Sequence, residues 1–206
     1  MLYFHYVPLA LALIFGLPQV GTTLPDAAQQ ANAQEVVLKT EPTLRDRCKP
    51  LADLISKGEG TWDSVNRGYA GDTPGGIRSL IGKSFSDLTL GEVMWLQRSR
   101  IYAVGRYQFI PSTLRSAVAK SGLSHSEKFT PETQTALFIT LLKHKRPSIA
   151  AYLSGEGDLG RALDDLAKEW ASVAWRDGRS YYGYGGNRAH ISREEAKQAL
   201  REGRAM

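Results

Sequence analysis

The chain has 206 residues, of which 42% are hydrophobic and 23% are charged. This composition is that of an ordinary globular protein, and it excludes the disordered and fibrous classes. The 26 Lys and Arg residues against 21 Asp and Glu give a formal charge of +5, which favours an acidic polymer as partner.

An apolar run near the N-terminus predicts an export signal. Residues 7–20 are almost continuously apolar, but a bilayer span needs roughly 20 apolar residues. The triplet Ala-Asn-Ala at 31–33 predicts cleavage after Ala33, which makes residues 1–33 a signal peptide. Because residues 1–6 contain no Lys or Arg, an uncleaved anchor is the alternative. We expect an exported protein, periplasmic or secreted, with no stable membrane span after cleavage.

The remaining composition excludes several kinds of site. Cys48 is the single cysteine, so no internal disulfide can form. The histidines are dispersed without ligand spacing, and we therefore expect neither a metal site nor a cofactor. The basic residues are scattered and not interleaved with aromatic ones, so nucleic acid is not the expected partner. An exported basic protein more naturally meets the anionic cell wall.

The predicted compact domain covers residues 49–206, after a polar linker at 34–48. Pro50 suits the first turn of a helix, and the spacing of Leu51, Leu54 and Ile55 gives that helix one apolar face. Gly58 is the expected terminator, which places Glu59 just beyond a buried helix.

Turns precede a series of helices in the rest of the chain. Residues 60–88 are rich in Gly, Asp, Asn, Thr and Pro, which predicts turns or a small hairpin. Capping signals and apolar periodicity then predict helices over 89–98, 111–122, 130–142 and 158–170, and from 192 to the C-terminus. A second Gly-Glu-Gly, at 155–157, lies in a polar stretch before a helix cap and predicts a loop.

Glu59 is the residue best placed for chemistry. Cleavage of a glycosidic bond needs a carboxylic acid whose pKa is raised by apolar surroundings. Gly58 and Gly60 leave room for a bulky polymer, and Trp62 is near enough in sequence to desolvate the acid. A surface carboxylate at a helix end is the alternative on composition alone.

The wider pattern resembles a known family. Residues 56–61 (Ser-Lys-Gly-Glu-Gly-Thr) resemble the segment around the catalytic glutamate of lambda-phage-type lysozymes, and residues 103–108 resemble their Gly-Arg-Tyr-Gln segment. The similarity continues through residues 129–134, 169–172 and 181–185. Residues 105–113 also resemble the Gly-Leu-Met-Gln-x-x-Pro-x-Thr segment of soluble lytic transglycosylases.

The resemblance implies a fold and a set of cleft residues. The family has an α+β, mostly α architecture, in which a helical body and a small β lobe flank a sugar-binding cleft. It implies substrate contacts by these residues: Trp62, Arg106, Tyr107, Gln108, Tyr181, Tyr182 and Tyr184. The alternatives are that Tyr107 and Phe109 are core residues with Gln108 as a cap, and that the tyrosine run is a structural aromatic loop.

The second catalytic group is left open by the sequence. Hydrolysis usually uses a second carboxylate about 5 to 10 Å from the acid, and Asp63 and Asp72 are the available candidates. In the T4-type lysozymes, an Asp beyond the glutamate positions water. In lambda-type lytic transglycosylases, the muramic C6 hydroxyl attacks instead, and no second carboxylate is needed.

The expected function is therefore a monomeric muramidase that acts on peptidoglycan glycan strands. Glu59 would cleave the β-1,4 bond between N-acetylmuramic acid and N-acetylglucosamine. A lytic transglycosylase is the first alternative, a non-catalytic wall-binding module the second, and an exported nucleic-acid-binding protein the third. Host lysis, wall remodelling and service to a secretion or flagellar apparatus all fit an exported cutting enzyme.

Overall fold

The computed structural model of the protein describes residues 41–183 and 186–206. Within these ranges the chain forms nine helices and two short strands. The helices are α1 (Leu44–Arg47), α2 (Lys49–Glu59), α3 (Gly76–Ile81), α4 (Leu90–Leu96), α5 (Pro111–Ser121), α6 (Pro131–His144), α7 (Pro147–Leu153), α8 (Leu159–Glu169) and α9 (Arg193–Ala205), and the strands are β1 (Val65–Asn66) and β2 (Ala103–Val104). No helix in the described ranges is long and apolar enough to cross a membrane.

The helix starts predicted from capping residues are confirmed. Thr89, Thr130, Asp158 and Ser192 each accept a hydrogen bond from the backbone N–H three residues further on. These bonds satisfy donors that have no partner inside the helix. The predicted helix from 111 is also confirmed, and it ends before Gly122, which has a left-handed conformation. Residues 155–157 form the predicted loop.

The prediction of turns or a hairpin for residues 60–88 is wrong in part. This region contains α3, in which Ile77 is fully buried and donates its N–H to the carbonyl of Asp63. It supplies one strand, but β1 pairs with β2 from outside the region, with Val65 opposite Val104. Elements of two and six residues are too short for periodicity to show.

The expected linker belongs in part to the folded unit, which begins at Glu41. Thr43 caps α1 in a capping box with Asp46, and Cys48 is buried. The guanidinium of Arg47 donates a 2.8 Å hydrogen bond to the carbonyl of Arg204 in α9. A single turn of helix docked at a distant position leaves no periodic signal, which explains why polar composition alone suggested a linker. Residues 34–40 and the expected signal peptide, residues 1–33, lie outside the described residues.

The core is built mainly by helices packed against one another. Helices α2 and α9, α5 and α6, and α7 and α8 are in contact as pairs. Phe138 of α6 is fully buried, with Tyr107 stacked on its ring and Trp170 tilted against it. The described residues thus form a mostly helical α+β fold with one small sheet, as predicted.

A buried amide joins the helical body to the sheet region. Gln134 of α6 is completely buried. Its Oε1 accepts the backbone N–H of Arg106, and its Nε2 donates to the carbonyls of Trp62 and Phe129. Since a buried amide without partners costs roughly 1–3 kcal/mol, these three bonds hold the turn after β2 in one position relative to α6.

Gly203→Ala tests whether α1 is packed on α9. Alanine normally stabilises a helix interior by about 1 kcal/mol relative to glycine. Here a Cβ would overlap the carbonyl of Arg47 and the side chain of Leu153. We therefore expect destabilisation by about 1–3 kcal/mol, measured by thermal unfolding. Glu202→Ala, at the exposed neighbouring position, is the control and should stay within about 0.5 kcal/mol. A raised melting temperature in Gly203→Ala would contradict the packing.

Candidate active site

Glu59 is the last residue of α2 and not, as expected, the first residue beyond it. The helix continues through Gly58 and is capped at Gly60. The φ of Gly60 is 141°, a conformation that glycine adopts readily and other residues rarely do. Gly58 serves close packing instead, because a Cβ there would lie 3.0 Å from the side chain of Ser172 and 3.1 Å from that of Ile191. Gly58, which the sequence predicted to end the helix, thus allows the segment around Ser172 to approach Glu59.

Ser172 holds the carboxyl group of Glu59. Its Oγ donates a 2.5 Å hydrogen bond to Oε1 of Glu59, and the serine side chain is buried. The carbonyl of Ser172 accepts hydrogen bonds from the backbone N–H groups of His190 and Ile191. The serine therefore has a defined position, which fixes the carboxyl of the acid in turn. Sequence reasoning missed this role because an isolated serine carries no pattern.

The environment of Glu59 favours its protonated form. Burial raises the pKa of this carboxyl above its usual value, the negative charge of Asp72 raises it further, and the hydrogen bond from Ser172 opposes the rise. The net result is a raised pKa. A carboxylic acid that stays protonated closer to neutral pH can act as a proton donor.

The two candidate partner carboxylates lie in different settings. Asp72 is exposed, pairs with Asn66 through a β-bridge, and accepts a 3.0 Å hydrogen bond from the amide of Asn66. Its negative charge raises the pKa of Glu59. Asp63 instead uses one oxygen for Arg78 at 2.9 Å and the other for the N–H of Phe85 at 2.8 Å. These bonds tie down the segment around α3.

Tyr107 is a core residue, which favours the structural alternative for this segment over contact with substrate. It is only 2% exposed, and its ring centroid lies 4.3 Å from that of Phe138. Phe109, only 1% exposed, packs edge-to-face against the ring of Tyr107. Stacking with offset aromatic rings in the core explains this segment better than contact with sugar.

Trp62 and Arg106 lie together with Tyr107. The guanidinium of Arg106 lies 4.6 Å from the ring centroid of Trp62, and it forms a 2.6 Å ion pair with Asp53. Trp62 also meets the edge of Tyr107. The indole of Trp62 thus packs on Arg106 and Tyr107, and its desolvation of Glu59 stays a prediction.

Gln108 shapes the turn between β2 and α5. Among the described residues it is the one non-glycine residue with a positive φ, 49°. Its Nε2 donates a 2.8 Å hydrogen bond to the carbonyl of Gly105 and a longer one to that of Ser64. Backbone strain of this kind concentrates at functional sites. The glutamine is half-buried and ties the turn to the segment before β1, whereas the N-cap residue of α5 is Ile110.

The predicted aromatic run at 181–185 is divided in role. Tyr181 is 46% exposed and meets the edge of Trp175 at 4.9 Å between centroids. The hydroxyl of Tyr182 donates a 2.7 Å hydrogen bond to the carbonyl of Lys168 at the end of α8. Tyr184 lies outside the described residues. Tyr181 thus presents an aromatic face to solvent, whereas Tyr182 anchors the segment.

Comparison with known proteins gives one match. A family model described as Endolysin matches residues 49–198, which is more than half of the chain. The matched range contains Glu59, Asp72 and Ser172. No curated protein and no solved structure matches the chain.

Ser172→Ala is expected to raise the pKa of the Glu59 carboxyl further. The serine hydrogen bond favours the ionised form, so its removal leaves burial and the charge of Asp72 with less opposition. A ¹³C NMR titration of the Glu59 carboxyl measures the shift. Ser148→Ala is the matched control, because it removes a 2.6 Å serine–carboxylate bond to Asp165 elsewhere. A Glu59 pKa that falls or stays constant in Ser172→Ala would contradict the assignment.

Proposed function

We propose that this chain, which belongs to the Endolysin family, is a peptidoglycan-degrading glycosidase with Glu59 as its general acid. We propose further that it cleaves the β-1,4 bond between N-acetylmuramic acid and N-acetylglucosamine. The observation that carries the proposal is the half-buried Glu59 carboxyl, which Ser172 holds in place and whose pKa is raised by its surroundings. Family membership supports action on the cell wall, and the environment of the acid supports glycoside chemistry.

The first chemical step is proton transfer from Glu59 to the glycosidic oxygen. As the bond to the leaving sugar breaks, positive charge develops on the anomeric carbon and its ring oxygen. The hydrogen bond from Ser172 stabilises the carboxylate that remains after the proton has left. The ionised Glu59 can then accept a proton from the group that attacks the anomeric carbon, because the same group acts as acid and base in turn.

Asp72 is the better candidate for a second catalytic group. It is exposed, held by Asn66 and close enough to influence the charge of Glu59, whereas both oxygens of Asp63 are engaged in local structure. In a hydrolase, Asp72 would orient the attacking water. In the alternative, a lytic transglycosylase, the C6 hydroxyl of the substrate attacks and a 1,6-anhydromuramic end forms without Asp72.

We propose that the enzyme acts outside the cytoplasm. The apolar run at 7–20 and the Ala-Asn-Ala triplet support export, with an uncleaved anchor as the alternative. The positive net charge supports attraction to the anionic wall. A non-catalytic wall-binding protein would bind sacculi without releasing soluble fragments.

Glu59→Gln is expected to lower glycan cleavage by at least about 100-fold, since general acid catalysis contributes roughly that much or more. The amide keeps the shape of the side chain and can still accept the hydrogen bond from Ser172. Release of soluble fragments from purified peptidoglycan measures the loss. Glu156→Gln is the matched control, because Glu156 stands in the exposed second Gly-Glu-Gly and should retain full activity. Full activity in Glu59→Gln would overturn the proposal.

Asp72→Asn separates the two mechanisms. A hydrolase that needs Asp72 to orient water should lose at least about 100-fold in rate, and its products should carry reducing ends. A transglycosylase should keep most of its rate and release anhydro ends that weigh one water less. Mass spectrometry of the products decides between them. Retained activity together with reducing ends would contradict the role of Asp72.

A further inference from the structure

A groove of about 850 Å³ lies beside the short sheet and has no part in the chemistry described above. One wall is formed by residues 66–69 and Gly71, from β1 into the following turn, and the other by residues 97–102 after α4, while Asn187 completes the lining. Three arginines and two tyrosines dominate its lining: Arg67, Arg98, Arg100, Tyr69 and Tyr102. We call this feature the arginine groove.

The arginine groove carries positive charge without compensation. Arg67, Arg98 and Arg100 are exposed, and none of them forms an ion pair with a carboxylate of the described residues. The described lining contains no Asp or Glu. Three guanidinium groups on one groove favour an anionic ligand, and their planar geometry suits carboxylates.

The groove also offers aromatic and amide groups. Tyr69 is fully exposed and Tyr102 is 46% exposed, so both leave apolar ring surface in solvent. Gln97 lines the groove although it is more than nine-tenths buried. Its Nε2 donates to the carbonyls of Tyr102 and Phe109, whereas its Oε1 is buried with no partner in the described part of the chain. The amide of Gln97 thus fixes the groove wall at Tyr102 from the inside of the fold.

The arginine groove is connected to the candidate active site. Asn66 forms part of its wall and also donates its amide hydrogen bond to Asp72. The charge of Asp72 in turn acts on Glu59. Asn66 thus joins the wall of the groove to the candidate second carboxylate.

We propose that the arginine groove binds the carboxylate-bearing stem peptide of a glycan strand whose sugars pass Glu59, an inference that rests on the proposed function. The sugar chain of peptidoglycan is largely uncharged, and its carboxylates belong to the peptides attached to muramic acid. These peptides supply anions for the three guanidinium groups. The covalent attachment of peptide to sugar favours this ligand over a separate phosphate polymer.

The test compares two forms of one soluble glycan fragment, with stem peptides and after their enzymatic removal. The variant is the full chain carrying Arg67→Gln, Arg98→Gln and Arg100→Gln. We expect its affinity for the peptide-bearing fragment to fall by about 10-fold, because three exposed charge pairs of modest strength are lost together. Its affinity for the peptide-free fragment should be unchanged. Calorimetry measures both affinities.

A matched variant removes the same charge elsewhere. Lys120→Gln, Arg161→Gln and Arg201→Gln change three exposed cations outside the arginine groove. This control should bind both fragments as the unaltered chain does. Equal losses in the two triple variants would show a general charge effect and overturn the proposal.

Other outcomes are equally decisive. If the groove variant binds both fragments as tightly as the unaltered chain, or loses affinity for both alike, the groove does not recognise the stem peptide. An equal loss of affinity for a wall teichoic acid would assign the groove to polyanions in general. Cleavage of peptidoglycan is measured separately. Peptide-dependent binding without cleavage would contradict the proposed function alone. Cleavage without peptide-dependent binding would contradict only the proposal that the arginine groove binds the stem peptide.

Discussion

The hydrogen bond between Ser172 and Glu59 joins two segments that are distant in sequence, and the candidate site depends on it. Gly58 makes the contact feasible, since a larger residue would push the serine away from the end of α2. The carbonyl of Ser172 is held by the backbone of 190–191, which leads directly into α9. Because α2 and α9 also pack against each other, the position of the carboxyl is set by the core. The protonation of the acid is therefore a property of the tertiary structure and not of the local sequence.

Charge is arranged in two zones around the proposed glycan path. On the Glu59 side of this path, the negative charge of Asp72 raises the pKa of the acid. Beyond Asn66 the arginine groove presents cations alone. In the proposed enzyme these zones correspond to the two parts of the substrate, the uncharged sugar chain and its anionic peptides. A single net charge for the whole chain conceals this division, because the formal charge of +5 averages over both zones.

The segment at 105–108 resembles the matching segment of lambda-phage-type lysozymes, but most of its side chains build the fold. Tyr107 is stacked in the core, and Arg106 is held by Trp62 and Asp53. Gln108 adopts a positive φ and bonds to the backbone of its own turn. These contacts place the turn after β2 against the helical body. The physical requirement behind the motif is therefore a strained turn with an aromatic anchor, and contact with sugar is not needed to explain Tyr107.

The sequence by itself determined the helices of more than one turn that begin with capping residues, because caps and apolar periodicity are local signals. It also singled out Glu59, through its position at the end of a buried helix and the resemblance to lysozymes. Only the tertiary structure decided that α1 packs on α9, that β1 pairs with β2, and which aromatic residues are core. It also decided that Ser172 holds the acid and that Asp72 rather than Asp63 affects its charge. Burial, ion pairs and hydrogen bonds between distant segments depend on how the chain packs, and no spacing along the sequence encodes them.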